Sequence, residues 1–314
     1  MADKKKILVT GGLGHIGSQL IREYSKREDI EIIRIFDNLK TQRYCSLFNL
    51  PENGKFEFFE GDILNTEDLD KAMKDIDIVI HLAAITDAPS TIEKPQLTMK
   101  VNFIGTKNVL EAAEKANVKK FLFPSTTSVY GETSGLVDEN FSDLKPCTPY
   151  AEAKLASENL VREYGKSGKL NTTILRMGTI YGPSMGMRFH TAVNKFTWLA
   201  AMNKPLTVWD NAFEQKRPYL GLTDAIRAYQ FLEEKGESGE LYNVLTDNYT
   251  VREVVEAIKK SVPDIKIEIT KAPIINQKSY EVSNEKIKAL GFTFQDDLAD
   301  NIKKKIEMLK GVKN

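Results

Sequence analysis

The segment Ile7-Leu8-Val9-Thr10-Gly11-Gly12-Leu13-Gly14-His15-Ile16-Gly17 decides the fold of this chain. Its first four residues are apolar or β-branched, which predicts a short buried strand. Glycines follow at once, and apolar residues then recur at helical spacing at Ile16, Leu20, Ile21 and Tyr24. A strand that enters a helix through a glycine-rich turn is typical of a dinucleotide-binding βαβ unit.

Two glycine patterns overlap in this turn: G-x-G-x-x-G at Gly12, Gly14 and Gly17, and G-x-x-G-x-x-G at Gly11, Gly14 and Gly17. In both patterns, glycine permits a positive φ and lets the backbone approach a diphosphate closely. The helix N-terminus adds unpaired N–H groups and the positive end of a dipole. The predicted cofactor residues of the turn are Gly11, Gly14, His15, Ile16 and Gly17.

An acidic residue, Asp37, stands twenty positions after Gly17, at the end of the second predicted strand. A carboxylate there accepts hydrogen bonds from the adenosine ribose hydroxyls and repels the 2′-phosphate of NADP. The cofactor predicted from these residues is therefore NAD. The alternative is a structural glycine turn with an Asp that caps a strand.

Strands and helices alternate through the first half of the chain. Strands are predicted over Ile32–Phe36, Phe56–Phe59, Ile76–Leu82, Lys120–Pro124 and Asn171–Arg176, with helices from Thr66, over Gln96–Ala116 and over Tyr150–Tyr164. Strands that alternate with helices of this length predict parallel βαβ units. The expected fold is α/β, a doubly wound parallel sheet of the Rossmann kind.

The second half is less regular. Helices are predicted over Arg188–Met202, Asp224–Glu234, Val251–Lys260 and Asp297–Leu309. We expect an NAD-binding domain over residues 1–178, which 215–240 rejoin, and a smaller interwoven C-terminal α/β lobe over 179–314 that binds substrate.

The composition argues against several classes of function. Lys+Arg and Asp+Glu both number 44, so there is no excess of positive charge for nucleic acid or an anionic membrane. No apolar run reaches the ~18 residues of a membrane span, and we expect no signal peptide and a cytoplasmic protein. Two cysteines and three scattered histidines predict neither a disulfide framework nor a metal site.

Tyr150 and Lys154 are four residues apart on a predicted helix, so they share a face. The spacing alone is weak, but the helix follows strand 5, where ligands of such sheets bind. A hydroxyl cluster, Ser125 to Ser128, ends the same strand. To act as a base near pH 7, the phenol needs a pKa about three below its usual 10, which a nearby ammonium and an oxidised nicotinamide could provide. The alternative is a buried Tyr150 with a solvated Lys154.

With these residues in hand, the chain resembles the extended short-chain dehydrogenase/reductases, and among them the nucleotide-sugar epimerases. The resemblance covers nearly the whole length. Its motifs are Thr10–Gly17, Asp37-Asn38-Leu39, Gly61-Asp62-Ile63, His81-Leu82-Ala83-Ala84, Asn102, Ser125–Gly131, Pro149–Lys154, Arg176, Tyr181-Gly182-Pro183, Gln215-x-Arg217 and Leu290-Gly291-Phe292.

The resemblance implies a role for each of these positions. Asp37 and Asn38 would hold the adenosine, Asp62 and Ile63 would flank the adenine, and Leu82, Ala83, Ala84 and Asn102 would form the cofactor channel. Thr126 would bind the C4 oxygen of the sugar, Tyr150 would be the base and Lys154 would hold the nicotinamide ribose. The implied substrate residues are Thr126, Thr179, Arg188, Arg217 and Lys278.

Departures from the family pattern narrow the reaction. The similar 4,6-dehydratases and sugar-acid decarboxylases carry an acid just after the catalytic Ser or Thr, whereas Thr127, Ser128 and Val129 follow here. Thr179 replaces a common Asn, and Pro218 follows Arg217 where the family has an Asp. A late diphosphate Arg is not evident, and Lys278 is a weak substitute for it. The loop Met185–Arg188 is also unusual.

We therefore expect NAD-dependent chemistry at C4 of a nucleotide-diphosphate sugar, with 4-epimerisation as the first hypothesis and a role in polysaccharide biosynthesis. A C4 dehydrogenase or keto-sugar reductase is the second hypothesis, and a non-catalytic NAD-binding protein is the third. The resemblance also implies a homodimer or higher homo-oligomer through the helices that carry Asn102 and Tyr150. Apolar residues on these helices support it unless the monomer buries them: Val109, Leu110, Leu155 and Leu160.

Overall fold

The computed structural model describes residues 4–133, 135–271 and 279–312. The strands are β1 (Lys5–Thr10), β2 (Ile30–Asp37), β3 (Phe56–Glu60), β4 (Ile78–His81), β5 (Lys120–Thr126), β6 (Leu136–Val137), β7 (Thr172–Met177), β8 (Thr179–Tyr181), β9 (Leu206–Trp209), β10 (Lys216–Gly221), β11 (Glu240–Val244), β12 (Asp247–Thr250), β13 (Ile267–Thr270) and β14 (Glu281–Val282).

The helices are α1 (His15–Ser25), α2 (Thr66–Ala72), α3 (Ala88–Thr91), α4 (Pro95–Met99), α5 (Gly105–Lys115), α6 (Pro149–Lys166), α7 (Ala192–Ala201), α8 (Leu222–Lys235), α9 (Val251–Lys259), α10 (Glu285–Ala289) and α11 (Leu298–Leu309). Two short 3₁₀ turns cover Tyr44–Leu47 and Thr127–Tyr130. In the described ranges, no helix is both long and apolar enough to span a bilayer.

Seven strands form one sheet in the order β3-β2-β1-β4-β5-β7-β11, and every neighbouring pair in it is parallel. The order reverses between β1 and β4, so both strands point their carboxyl ends at the same crevice. The doubly wound parallel sheet predicted from the sequence is confirmed.

Both faces of this sheet are covered, which explains why its strands are continuously apolar. Ile7 and Val9 point to a core that includes α1 and α8. Leu8, between them, points to the opposite core, which α2, α5 and α6 cover. Val109 and Leu110 are fully buried in this second core, so burial within the monomer accounts for both.

A smaller lobe stands at the carboxyl edge of the sheet. Its three-stranded sheet has the order β12-β10-β8, and α7, α9 and α11 surround a third apolar core. Between β10 and β12 the chain returns to the large sheet as α8 and β11. We propose the division near residue 178 as the boundary, with the returning segment, about 222–244, counted with the first lobe.

Two predicted helices differ from the structure. The helix predicted over Gln96–Ala116 contains a π-turn at Lys100–Ile104, which separates α4 from α5. The helix predicted from Arg188 begins only at Ala192, because Thr191 takes an extended conformation as its N-cap. Arg188 therefore belongs to the loop that precedes α7.

Candidate active site

The turn between β1 and α1 has no space for a side chain at two of its glycines. Gly11 has a φ of +66°, and a Cβ there would lie 2.6 Å from the backbone nitrogen of Ala83. A Cβ on Gly17 would lie 2.6 Å from the carbonyl oxygen of Gly12. Gly14 is the N-cap of α1 and supplies no capping side chain. The first N–H groups of α1 are therefore open to a ligand.

One of the two overlapping glycine patterns lines a cavity of about 330 Å³. This pattern consists of Gly11, Gly14 and Gly17, and His15 and Ile16 line the same cavity. Gly12 instead packs inward, where a Cβ would lie 2.8 Å from the side chain of Ile35. A bare backbone at the positive end of a helix fits the diphosphate of a dinucleotide.

The carboxylate of Asp37 is held beside this turn. It accepts hydrogen bonds from the backbone N–H of Leu13 at 3.2 Å and of Leu39 at 3.0 Å. These bonds fix the carboxylate between the glycine turn and the end of β2. This is the position from which it can accept hydrogen bonds from the ribose hydroxyls of NAD.

Asp62 and Asn38 form the next part of the same edge. The Asn38 amide donates to the Asp62 carboxylate at 3.1 Å, and Lys40 pairs with the same oxygen at 2.8 Å. Ile63 is buried, and a Cβ on Gly105 would lie 2.4 Å from its Cδ1. The side chain of Ile63 therefore packs in the protein core, and the placement of its backbone and of Asp62 beside an adenine stays a prediction.

The loop after β4 forms one wall of the cavity. Leu82 and Ala84 line it, whereas the backbone of Ala83 packs against Gly11. The side chain of Asn102 holds this loop with two bonds: it accepts from the N–H of Ile85 at 2.7 Å and donates to the Ile85 carbonyl at 2.9 Å. Asn102 thus supports the channel wall from behind.

Thr126, Tyr150 and Lys154 line the same cavity. Thr126 ends β5, and its Oγ1 caps the following 3₁₀ turn by accepting from the Ser128 N–H at 3.1 Å. The Thr126 side chain lies near enough to Tyr150 to act on the pKa of its phenol. Lys154, one turn along α6, donates from Nζ to the carbonyl of Pro124 at 2.8 Å. The structure brings together the three residues predicted to be catalytic.

The electrostatics of this group differ from expectation. Burial raises the pKa of the Tyr150 phenol, while the charge of Arg188 and the nearby Thr126 hydroxyl act in the opposite direction. Burial lowers the pKa of Lys154 to about 7. The positive charge that acts on Tyr150 in this chain is therefore that of Arg188, whereas the sequence predicts an ammonium in this role.

A second cavity, of about 560 Å³, adjoins the first, and residues such as Thr179 and His190 line both. Arg217 lines the second cavity, where its guanidinium lies over the Tyr280 ring, 5.6 Å from the ring centroid. Arg188 lines the first cavity. Lys278 lies outside the described residues.

Several residues of these cavities are not predictable from sequence motifs. Lys195, Phe196 and Trp209 line the larger cavity, and His190 lines both. No local pattern identifies them. The one available signal is the run of basic and aromatic residues before and within α7, a segment whose apolar pattern predicts only a helix.

Among the described residues that line the first cavity, none is a carboxylic acid. Asp87 stands between two lining residues, Thr86 and Ala88, and its charge acts on Arg188 and His190. Within the described ranges, no group of three or more His, Cys, Asp or Glu side chains is arranged to hold a metal ion. The arrangement suits proton transfer at a hydroxyl beside a dinucleotide.

Comparison with known proteins agrees with this geometry. The model of the NAD-dependent epimerase/dehydratase family matches residues 7–244, well over half of the chain. The chain belongs to the NAD-dependent epimerase/dehydratase family. Like its relatives in this family, it is an enzyme whose cofactor is NAD.

Family members of two reaction types resemble it. The dTDP-D-glucose 4,6-dehydratase of Dictyostelium discoideum is 35% identical over 77% of this chain and 58% of its own length. The human enzyme of that name is 32% identical over 96% of this chain and 89% of its own. A UDP-glucuronic acid 4-epimerase from Bacillus cereus, solved with UDP-glucuronic acid and NAD, is 30% identical, with a TM-score of 0.88 over 98% of this chain and 99% of its own.

Replacement of Asp37 tests the adenosine end of the site. We expect the chain to bind NAD more tightly than NADP, and Asp37→Asn to reduce that preference by about tenfold, because the carboxylate repels the 2′-phosphate. Fluorescence titration with both dinucleotides measures the ratio. Asp62→Asn, at a carboxylate paired with Lys40, is the control and should keep it. A wild-type chain that prefers NADPH would contradict the assignment.

Proposed function

We propose that this chain is an NAD-dependent nucleotide-sugar 4-epimerase. The observation that carries the proposal is the convergence of Thr126, Tyr150 and Lys154 in a cavity whose described lining contains no carboxylic acid. Such a site can oxidise and reduce a carbinol carbon, but it has no group placed to eliminate water.

Thr126, Tyr150 and Lys154 have different roles in one reversible oxidation at C4 of the sugar. Bound NAD would supply hydride uptake and return. Tyr150 removes the proton from the C4 hydroxyl of the sugar and gives it back, and Thr126 holds the C4 oxygen through its hydroxyl. Lys154 orients the nicotinamide ribose, and its ammonium is held in place by its hydrogen bond to the Pro124 carbonyl. Inversion requires the 4-keto sugar to turn over before the hydride returns, so the cavity must retain the ketone.

The larger cavity supports a nucleotide-diphosphate substrate. Trp209 and Phe196 give it an apolar wall suited to a base, and Lys195 and Arg217 add positive charge suited to a diphosphate. It opens directly into the catalytic cavity through shared residues that include Thr179 and His190. A sugar between the two would reach Tyr150.

A 4,6-dehydratase is the second candidate, favoured by the Dictyostelium and human relatives. That reaction must remove a C5 proton and protonate the leaving C6 hydroxyl, so it needs an acid in addition to Tyr150. Thr127 and Ser128 occupy the positions after Thr126, and Asp87 is the acid beside the cavity rim. We rank epimerisation first for this reason.

Two further alternatives use the same site. A C4 dehydrogenase or keto-sugar reductase needs the same three residues and differs only in whether the ketone leaves the cavity. A purely NAD-binding protein would have no use for Thr126, Tyr150 and Lys154 in one cavity. The arrangement of the three residues therefore favours an enzyme over a binding protein, and retention of the ketone distinguishes the epimerase from the dehydrogenase.

A panel of nucleotide sugars tests the reaction type. The purified protein is incubated with UDP-, GDP-, CDP- and dTDP-sugars, including UDP-glucuronic acid, and the products are analysed by mass spectrometry and chromatography. We expect a product of unchanged mass and altered retention. A mass lower by two hydrogens would indicate a dehydrogenase, and a loss of water would replace our proposal with the dehydratase.

Removal of the Tyr150 hydroxyl tests the proton-transfer role. Tyr150→Phe should lower turnover by about 10²-fold or more, because general acid–base catalysis contributes at least that much. NAD should still bind, since the ring and Lys154 remain. Turnover and cofactor content are measured on the same preparation. The control is Tyr164→Phe on the same helix, which should retain activity, and an active Tyr150→Phe would remove Tyr150 from the mechanism.

We infer a homodimer through α4, α5 and α6. Its support is not Val109 and Leu110 but Leu97 of α4 and Ile104 of the π-turn, which are 47% and 40% exposed. Leu155 of α6, against which α4 packs, is half-buried. These side chains form an apolar surface on the helices that position Asn102 and Tyr150.

Light scattering tests the homodimer. The wild-type chain should have twice the chain mass of 35.4 kDa. Ile104→Glu should give monomers, because it places a charge in the proposed interface. Met308→Glu, at an equally apolar and 69% exposed position on α11, is the control and should stay dimeric. A monomeric wild-type chain would disprove the interface.

A further inference from the structure

Two guanidinium groups approach the glycine turn from separate parts of the chain. Arg43 follows β2, and its Nη1 lies 3.9 Å from the position of a Cβ on Gly14, the N-cap of α1. Arg188 ends the loop 182–188 and lines the same cavity as Gly11 and Gly14. The two arginines are close enough for their charges to repel, and both act on His15.

Neither arginine has a partner for its charge among the residues that the structure describes. No ion pair or side-chain hydrogen bond involves either guanidinium there, although the charge of Asp37 reaches Arg43 and that of Asp87 reaches Arg188. Burial lowers the pKa of both, that of Arg188 to about 10. Two partly buried like charges at the positive end of a helix cost free energy unless an anion lies between them.

The loop 182–188 has a fixed position over the glycine turn. His15 Nε2 is 2.8 Å from the carbonyl oxygen of Gly182, and the Ser184 hydroxyl donates to the carbonyl of His15 at 2.8 Å. The N–H of Gly186 donates to the Ser18 hydroxyl at 3.0 Å. A Cβ on Gly186 would lie 2.3 Å from the carbonyl oxygen of Leu13, so the two backbones are in direct contact.

The smaller lobe supports Arg188 from behind. The Asn194 amide of α7 donates to the carbonyl of Arg188 at 2.9 Å. Lys305 of α11, fully buried, donates to the amide oxygen of Asn194 at 2.5 Å. Arg188 is therefore positioned by the glycine turn and by two helices of the smaller lobe, as a preorganised binding group would be.

We propose that Arg43 and Arg188 form a clamp that closes on the diphosphate of NAD from the side opposite the glycine turn. A diphosphate carries the two negative charges that the pair lacks, and planar guanidinium groups match phosphate oxygens. The substrate diphosphate is the other possible source of these charges. The position of Arg43 against Gly14 favours the cofactor, and the larger cavity has Lys195 and Arg217 for the substrate.

Under the proposed function the enzyme keeps its cofactor bound between turnovers, and the clamp would contribute to that retention. Arg188 belongs to the loop next to the substrate cavity, so the smaller lobe contributes directly to cofactor retention. The proposal requires only that the chain binds NAD, and its test measures binding instead of turnover. Failure of the clamp would therefore leave the proposed epimerisation standing, and failure of epimerisation would leave the clamp standing.

Isothermal titration of nucleotide-stripped protein with NAD, NADP, ADP, adenosine and UDP tests the clamp. Arg43→Gln and Arg188→Gln should each weaken binding of NAD and ADP by about tenfold, the usual effect of losing a charge-assisted hydrogen bond. Binding of adenosine and UDP should be unchanged. Arg162→Gln, which removes an exposed guanidinium on α6, is the matched control. Arg43→Lys should restore part of the affinity and its salt dependence.

Three results would overturn the clamp. Unchanged NAD affinity in both variants, with intact thermal unfolding, would show that the arginines do not touch the diphosphate. Loss of UDP binding in Arg188→Gln with NAD unaffected would assign Arg188 to the substrate. A loss of affinity confined to NADP in Arg43→Gln would assign Arg43 to the 2′-phosphate of NADP. If stripping unfolds the protein, the NAD that remains bound after gel filtration replaces the titration, and equal retention in wild type and double variant would also overturn it.

Discussion

The site depends on close contact between backbones at the β1–α1 turn. Gly11 meets the backbone of Ala83 after β4, and Gly186 of the smaller lobe meets the carbonyl of Leu13 from the other side. A single Cβ at either glycine would separate segments that must touch. This contact sets the position of the cofactor channel and of the loop that carries Arg188. The turn therefore joins the smaller cavity, which its glycines line, to the loop of the smaller lobe that carries Arg188.

Electrostatics give this turn its function. The chain as a whole has no net charge, yet the N-terminus of α1 is surrounded by His15, Arg43, Arg188 and, behind them, Lys305. Burial keeps His15 neutral, with a pKa of about 4, while the arginines remain charged. The protein thus concentrates positive charge where a dinucleotide diphosphate would lie. The arginines need an anion to offset the cost of their burial, which links their placement to binding.

The choice between dehydration and epimerisation depends on a few side chains, whereas membership of the family depends on the whole fold. The Dictyostelium and human relatives are named as 4,6-dehydratases, the Bacillus cereus structure as a 4-epimerase, and the chain shares its fold and cofactor with these families of enzymes. What differs between the two chemistries is an acid beside the catalytic hydroxyl. Thr127 and Ser128 stand there in this chain. The proposal of epimerisation therefore rests on two side chains, which a general resemblance does not reveal.

The sequence by itself determined the features that short-range geometry encodes. A strand, three spaced glycines and a helix predict the dinucleotide turn, and a four-residue spacing places Tyr150 and Lys154 on one helical face. Only the tertiary structure decided that Gly12 packs inward, that Val109 and Leu110 belong to the core, and that the charges of Arg43 and Arg188, 145 residues apart, act on each other. The reason is physical: backbone conformation and periodicity are local properties, whereas neighbours across the fold depend on how distant segments pack.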